Sequence, residues 1–152
     1  PRYCFGHGLS YTQFSYSDLK LSKKEIGPFE TIEIRVDVEN VGSRTGDEVV
    51  QLYLRDLYAS MARPVKELAG FKRITLEPGE KQTVIFEVKA SQMAFLDMNM
   101  QWKVEKGTFL AEVGSSSQDI RLKDQYKVIE DGWLEGKDRG FYANAYKEAD
   151  RT

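Results

Sequence analysis

Between Thr31 and Asn40 apolar and charged residues alternate without a break: Ile32, Ile34, Val36 and Val38 against Glu33, Arg35, Asp37 and Glu39. A side-chain period of two belongs to a strand with one face buried and the other in water. The same period returns at Thr83–Val88 (Val84, Phe86, Val88), at Phe109, Ala111 and Val113, and at Gln101–Glu105, where Trp102 and Val104 share a face. Val49–Arg55 is apolar on both faces, the pattern of a central strand covered on both sides. Phe14–Leu21 starts in alternation and slips by one residue, which predicts a bulge or an edge strand. Ile120–Lys123 and Tyr126–Ile129 complete the strand candidates.

Turn residues punctuate these runs. Asn40-Val41-Gly42-Ser43 ends one strand, and Lys106-Gly107 and Gly114-Ser115-Ser116-Ser117 mark two further breaks. Glu77-Pro78-Gly79-Glu80 predicts a type II turn, with proline presetting φ at its second position and glycine taking positive φ at its third. Seven to eight short strands with frequent turns, and no helical pattern before about position 140, predict an all-β antiparallel β-sandwich. A chain of 152 residues is one domain of ordinary size.

The ends differ from the middle. Residues 1–13 hold Tyr3, Phe5, Leu9 and Tyr11 among glycines, as an extended lead lying against an apolar surface would. Residues 124–152 carry seven acids and five bases, and Phe141–Ala149 has the spacing of a short helix, with Phe141, Tyr142, Ala145 and Ala149 on one side. The division expected is a lead over 1–13, a sandwich over 14–129 and a partly helical C-terminal extension over 130–152.

Composition removes whole classes of function. The 24 acids and 22 bases nearly cancel, which argues against a nucleic-acid partner, and no apolar run reaches the length of a membrane span. One cysteine (Cys4) and one histidine (His7) allow no disulfide within the chain and no zinc site built from Cys and His, and no cofactor motif is present. Asp56, Asp97, Glu67 and Glu48 lie beside apolar segments, but nothing in their spacing forms the carboxylate pair that acid–base catalysis needs; they read as strand-face and turn residues. Trp102 is in phase with Val104 and reads as core. Trp133 lies outside the strand pattern and reads as an anchor against a neighbouring domain or as a sugar platform.

Seven strings, in order, carry more than any of them alone: Phe5-Gly6-His7-Gly8-Leu9-Ser10-Tyr11-Thr12 with Phe14–Leu19; Val38-Glu39-Asn40-Val41-Gly42; Gly46–Tyr53; Arg63-Pro64-Val65-Lys66-Glu67-Leu68-Ala69-Gly70-Phe71; Leu76–Glu80; and Val113–Ile120. Over residues 1 to about 123 the chain resembles the C-terminal fibronectin type III-like (immunoglobulin-like) domain of glycoside hydrolase family 3, the β-glucosidases and β-xylosidases. The resemblance implies that the nucleophilic Asp and the acid/base lie in preceding barrel and α/β domains, so it carries no catalytic residue onto this chain. It implies an accessory domain, non-catalytic by itself, in a parent that hydrolyses terminal β-linked glucose or xylose by a retaining mechanism. Its partners would be the preceding catalytic domains, with carbohydrate a further candidate. The main alternative is an independent carbohydrate- or protein-binding module. Tyr3, Phe5, Leu9 and Tyr11 of the lead, and Tyr58 and Met61 of the long connection Leu57–Phe71, are apolar residues the strands do not use. They are the expected docking contacts, with Arg63, Lys66 and Glu67 at the rim. Phe71 is expected to close one end of the core.

Overall fold

The computed structural model describes residues 12–57, 66–135 and 143–148. Its strands are β1 (Phe14–Leu21), β2 (Glu25–Ile26), β3 (Thr31–Asn40), β4 (Gly46–Asp56), β5 (Glu67–Leu76), β6 (Lys81–Lys89), β7 (Phe95–Leu96), β8 (Trp102–Val104), β9 (Gly107–Ser116), β10 (Asp119–Val128), β11 (Gly132–Leu134) and β12 (Asn144–Lys147). The one described helix is a buried 3-10 turn, Ala90–Met93. Two sheets make the sandwich, ordered β1-β3-β6-β12 and β2-β10-β9-β4-β5, and a small third sheet runs β11-β8-β7. All pairings are antiparallel except that of β2 with β10.

The inward residues of the alternating runs meet between the two large sheets. Ile32, Ile34, Val36 and Val38 of β3 and Val84, Phe86 and Val88 of β6 pack against Val50, Leu52 and Leu54 of β4, Phe109, Ala111 and Val113 of β9, and Tyr126 and Val128 of β10. The Phe109 and Tyr126 rings stack at 5.6 Å. At roughly 1.5–3 kcal/mol for each large side chain, this burial is the main force holding the fold. The slip in β1 is a bulge on an edge strand: the register breaks between Ser17 and Lys20, and Asp18 takes a φ of 54°.

The loop ends are held by polar side chains. Asn40 is fully buried; its Nδ2 donates to the carbonyls of Arg44 (2.8 Å) and Leu76 (2.9 Å), and its Oδ1 accepts from Gly42 N and Thr12 Oγ1. The turn after β5 is the one expected: Glu80 N donates to Glu77 O at 2.9 Å, and Gly79 has a φ of 81°.

Several expectations change. The runs at Ile120–Lys123 and Tyr126–Ile129 are not two strands but one, β10 (Asp119–Val128), with register shifts near Ile120. The run at Gln101–Glu105 is β8, as expected, and four further short strands (β2, β7, β11 and β12), with β5, raise the described number to twelve. Residues 67–76, part of the supposed long connection and the turn beyond it, form β5, so the link from β4 is 57–66 only. A bulge opposite Leu52 and Tyr53 and the glycine at 70 hide the alternation of β5 from the sequence. β4 is central in its sheet, but its outer side chains are half-exposed, so one face is covered and not two. Trp133 lies in a strand, β11. The helix expected at Phe141–Ala149 is absent from its described part: Asn144–Lys147 pairs with the open edge of β6, with Ala143 N donating to Ala69 O. An unsatisfied sheet edge is a stronger demand than a weak helical period.

Candidate docking face

Alternation along β4 sends Val50, Leu52 and Leu54 inward, and therefore Val49, Gln51, Tyr53 and Arg55 outward. Register then completes the outer face of the five-stranded sheet. Phe71 of β5 lies opposite Gln51, Arg73 opposite Val49 and Leu68 opposite Tyr53; on the other side Glu112 of β9 lies opposite Tyr53 and Leu110 opposite Arg55. Phe71 is 56% exposed, so it does not close the core: its position in β5 faces water, and the inward positions near it are Ala69 and Gly70.

A charged knot occupies the centre of this face. The Glu112 side chain is only 8% exposed, with Lys66 Nζ at 3.4 Å and Arg55 Nη2 at 3.6 Å from its Oε1. Lys66 also donates to Ser117 O at 3.1 Å and lies 5.6 Å from the centre of the Tyr53 ring. Both distances to Glu112 are those of loose ion pairs, and Glu112 Oε1 and Arg55 Nε are buried without a hydrogen bond. Polar atoms in that state lack the compensation that normally accompanies desolvation. At the other end of β4, Arg73 holds Asp47 through Nε and Nη2, and Thr75 Oγ1 donates to Asp47 Oδ1 at 2.7 Å. The Thr75 hydroxyl first, and then the Arg73 guanidinium, hold the exposed Asp47 carboxyl below its ordinary range.

Of the expected docking contacts, Lys66 belongs to this knot. Glu67 opens β5 opposite Leu54, half-buried, and is not part of it. Tyr3, Phe5, Leu9, Tyr11, Tyr58, Met61 and Arg63 lie outside the described residues. The knot's other charged members, Arg55 and Glu112, were not singled out in the sequence. Glu112 sits out of phase between Ala111 and Val113, and that phase alone could have marked it as facing away from the core.

The carboxylates beside apolar segments do not converge on a site. Glu48 accepts from Tyr16 Oη at 2.8 Å across the sandwich edge, while the Arg121 guanidinium lies over the Tyr16 ring and donates to Asp119 and to Phe14 O. Burial pushes the Glu48 carboxyl above its ordinary value, and burial, then Glu48, pushes the Tyr16 phenol up as well. Asp97 caps a turn. Among the described residues no group of His, Cys, Asp and Glu is arranged to hold a metal ion.

Comparison with known proteins fits this architecture. A family model for the fibronectin type III-like domain matches residues 48–117, the segment that supplies most of β4 and all of β5 to β9. Thermostable β-glucosidase B of Acetivibrio thermocellus is 45% identical over 84% of the chain, and a β-xylosidase of Formosa agariphila 48% identical over 81%. The chain is a fibronectin type III-like domain of glycoside hydrolase family 3. Each of those two relatives is matched over only 17% of its own length, so the domain corresponds to a small part of them. Solved structures agree: β-glucosidase from Kluyveromyces marxianus in complex with glucose superposes with a TM-score of 0.75 at 40% identity, covering 86% of the domain and 16% of that chain. β-Glucosidase 3B from Thermotoga neapolitana gives 0.77 at 37% identity, covering 89% and 18%.

Proposed function

We propose that this fibronectin type III-like domain is the non-catalytic accessory domain of a family 3 glycoside hydrolase, and that it packs against the catalytic domains of the same polypeptide and stabilises them. The parent would hydrolyse terminal β-linked glucose or xylose with retention of configuration. The observation that carries the reading is the outer face of the five-stranded sheet, where an exposed Phe71 borders a buried Glu112–Arg55 pair with unmet hydrogen-bonding capacity. A docked partner covers the ring and excludes water from the knot, which strengthens its loose ion pairs. Lys66 contributes through the central knot; Glu67, Tyr3, Phe5, Leu9, Tyr11, Tyr58, Met61 and Arg63 join the face on the sequence argument.

Hydrogen exchange, measured on this chain alone and within its full-length polypeptide, tests the reading. The β5 amides around Phe71 exchange more slowly in the full-length protein. Phe71→Asp removes that added protection, while the isolated domain, where the ring is solvated, changes stability by no more than about 0.5 kcal/mol. Equal exchange in the two forms overturns the docking face.

A further inference from the structure

The small sheet presents a second surface that the docking face does not use. Register places Leu134, Trp102 and Leu96 in one row and Trp133, Lys103 and Phe95 in the next. Trp102 and Leu134 pack on the core, so Trp133 and Lys103 belong to the opposite, outer side, while Leu96 at the β7 edge is exposed as well. Trp133 is 50% exposed, and its ring is nonetheless fixed. The indole Nε1 donates to Asp97 Oδ2 at 3.1 Å, and Lys103 Nζ lies 5.4 Å from the ring centre. Lys103 is held in turn by Asp131 at 3.7 Å and Glu105 at 4.0 Å.

Asp97 organises both the ring and the turn beside it. Its Oδ1 accepts from Asn99 N at 2.9 Å and Gln101 N at 3.0 Å, so one carboxylate sets the Asp97–Gln101 turn and the Trp133 indole. That turn holds Met100 at a φ of 62°, a left-handed conformation that favours glycine or asparagine. Met98 and Met100 are 90% and 75% exposed, so neither is there to pack the interior. Burial accounts for none of these choices.

We propose that this outer face is a binding site for the pyranose rings of a neutral oligosaccharide. A pyranose offers an apolar C–H face ringed by hydroxyls, and the surface is its complement: a rigid indole, with the methionine turn beside it, the Asp97 carboxylate at its N–H and the Lys103 ammonium 5.4 Å from its centre. The indole N–H is already taken by Asp97 and one face of the ring by Lys103, so the ring offers its other face. Asp97, Glu105 and Asp131 outweigh Lys103, which favours uncharged sugars over acidic ones. The site is independent of the docking face, and either can fail alone.

The test is a titration of the 15N-labelled chain with β-1,4-linked glucose and xylose hexaoses, followed by NMR. The Trp133 indole N–H signal shifts saturably in the millimolar range, with the Trp102 indole as internal control. Trp133→Ala binds at least about tenfold more weakly with an unchanged fold, and Trp133→Phe recovers part of the affinity. No saturable shift at tens of millimolar sugar overturns the proposal, as does equal affinity in Trp133→Ala. So do perturbations confined to β4 and β5, tighter binding of an acidic oligosaccharide, or a Trp133 signal that responds only when the rest of the polypeptide is present.

Discussion

Single side chains set the tightest local constraints, and two of them yield measurable consequences. Gly79 stands third in the Glu77–Glu80 turn at a φ of 81°, with Gly79 N donating to Asn40 O at 2.8 Å. A Cβ there meets no neighbour, so the cost of Gly79→Ala is backbone strain alone, on the order of 1 kcal/mol. The melting temperature should fall by about 2–4 °C in calorimetry. Glu48 works in the opposite sense. Burial raises its folded pKa above the unfolded value of about 4.3, so the native state binds the proton more tightly. That contribution to stability is present at low pH and is lost as the pH rises through the folded pKa. Glu48→Gln keeps an acceptor for Tyr16 without the charge. Its urea midpoint should exceed that of the parent chain at pH 7, and the difference should vanish below about pH 4.

Strands 132–134 and 144–147 show what a whole element contributes. β12 covers the outer edge of β6: Ala145 packs on the core, Tyr146 Oη donates to Glu87 at 3.2 Å, and Arg35 on β3 pairs with Glu148 at 2.6 Å. Gly70 of β5 closes the same corner, since a Cβ on it would come within 3.0 Å of Ala143 Cβ. Ending the chain at Glu135 removes the β12 ladder and bares the β6 edge. Stability should drop by about 2 kcal/mol, given a net 0.5–1.5 kcal/mol per hydrogen bond, and the truncated domain should self-associate. Unchanged urea midpoint and sedimentation would mean that β12 contributes nothing.

The molecule as a whole is a scaffold with two unlike surfaces. The outer face of the five-stranded sheet is charged around a partly unsatisfied centre, and the small sheet presents one fixed indole. Its carboxylates serve as turn caps, ion-pair partners and an edge latch. Because the chain corresponds to only 17% of its β-glucosidase and β-xylosidase relatives, chemistry by the isolated domain is not expected. The purified chain should release no nitrophenol from aryl β-glucosides or β-xylosides. Turnover that persists through purification to homogeneity, at constant specific activity, would refute this.

What could be read in advance follows from distance along the chain. The period of two in β3, β6 and β9, the bulge in β1 and the Pro78-Gly79 turn depend on neighbouring residues and on backbone φ, so the residues themselves determined them. β5 was hidden because a bulge breaks its alternation, and Phe71 was misplaced for the same reason. The fate of the tail depended on an open strand edge far away in sequence, which no local propensity records. The Lys66–Glu112–Arg55 knot draws on three strand neighbourhoods, and the Asp97–Trp133 contact joins residues 36 positions apart. Sheet pairing decided both, because only register brings side chains distant in sequence onto one face.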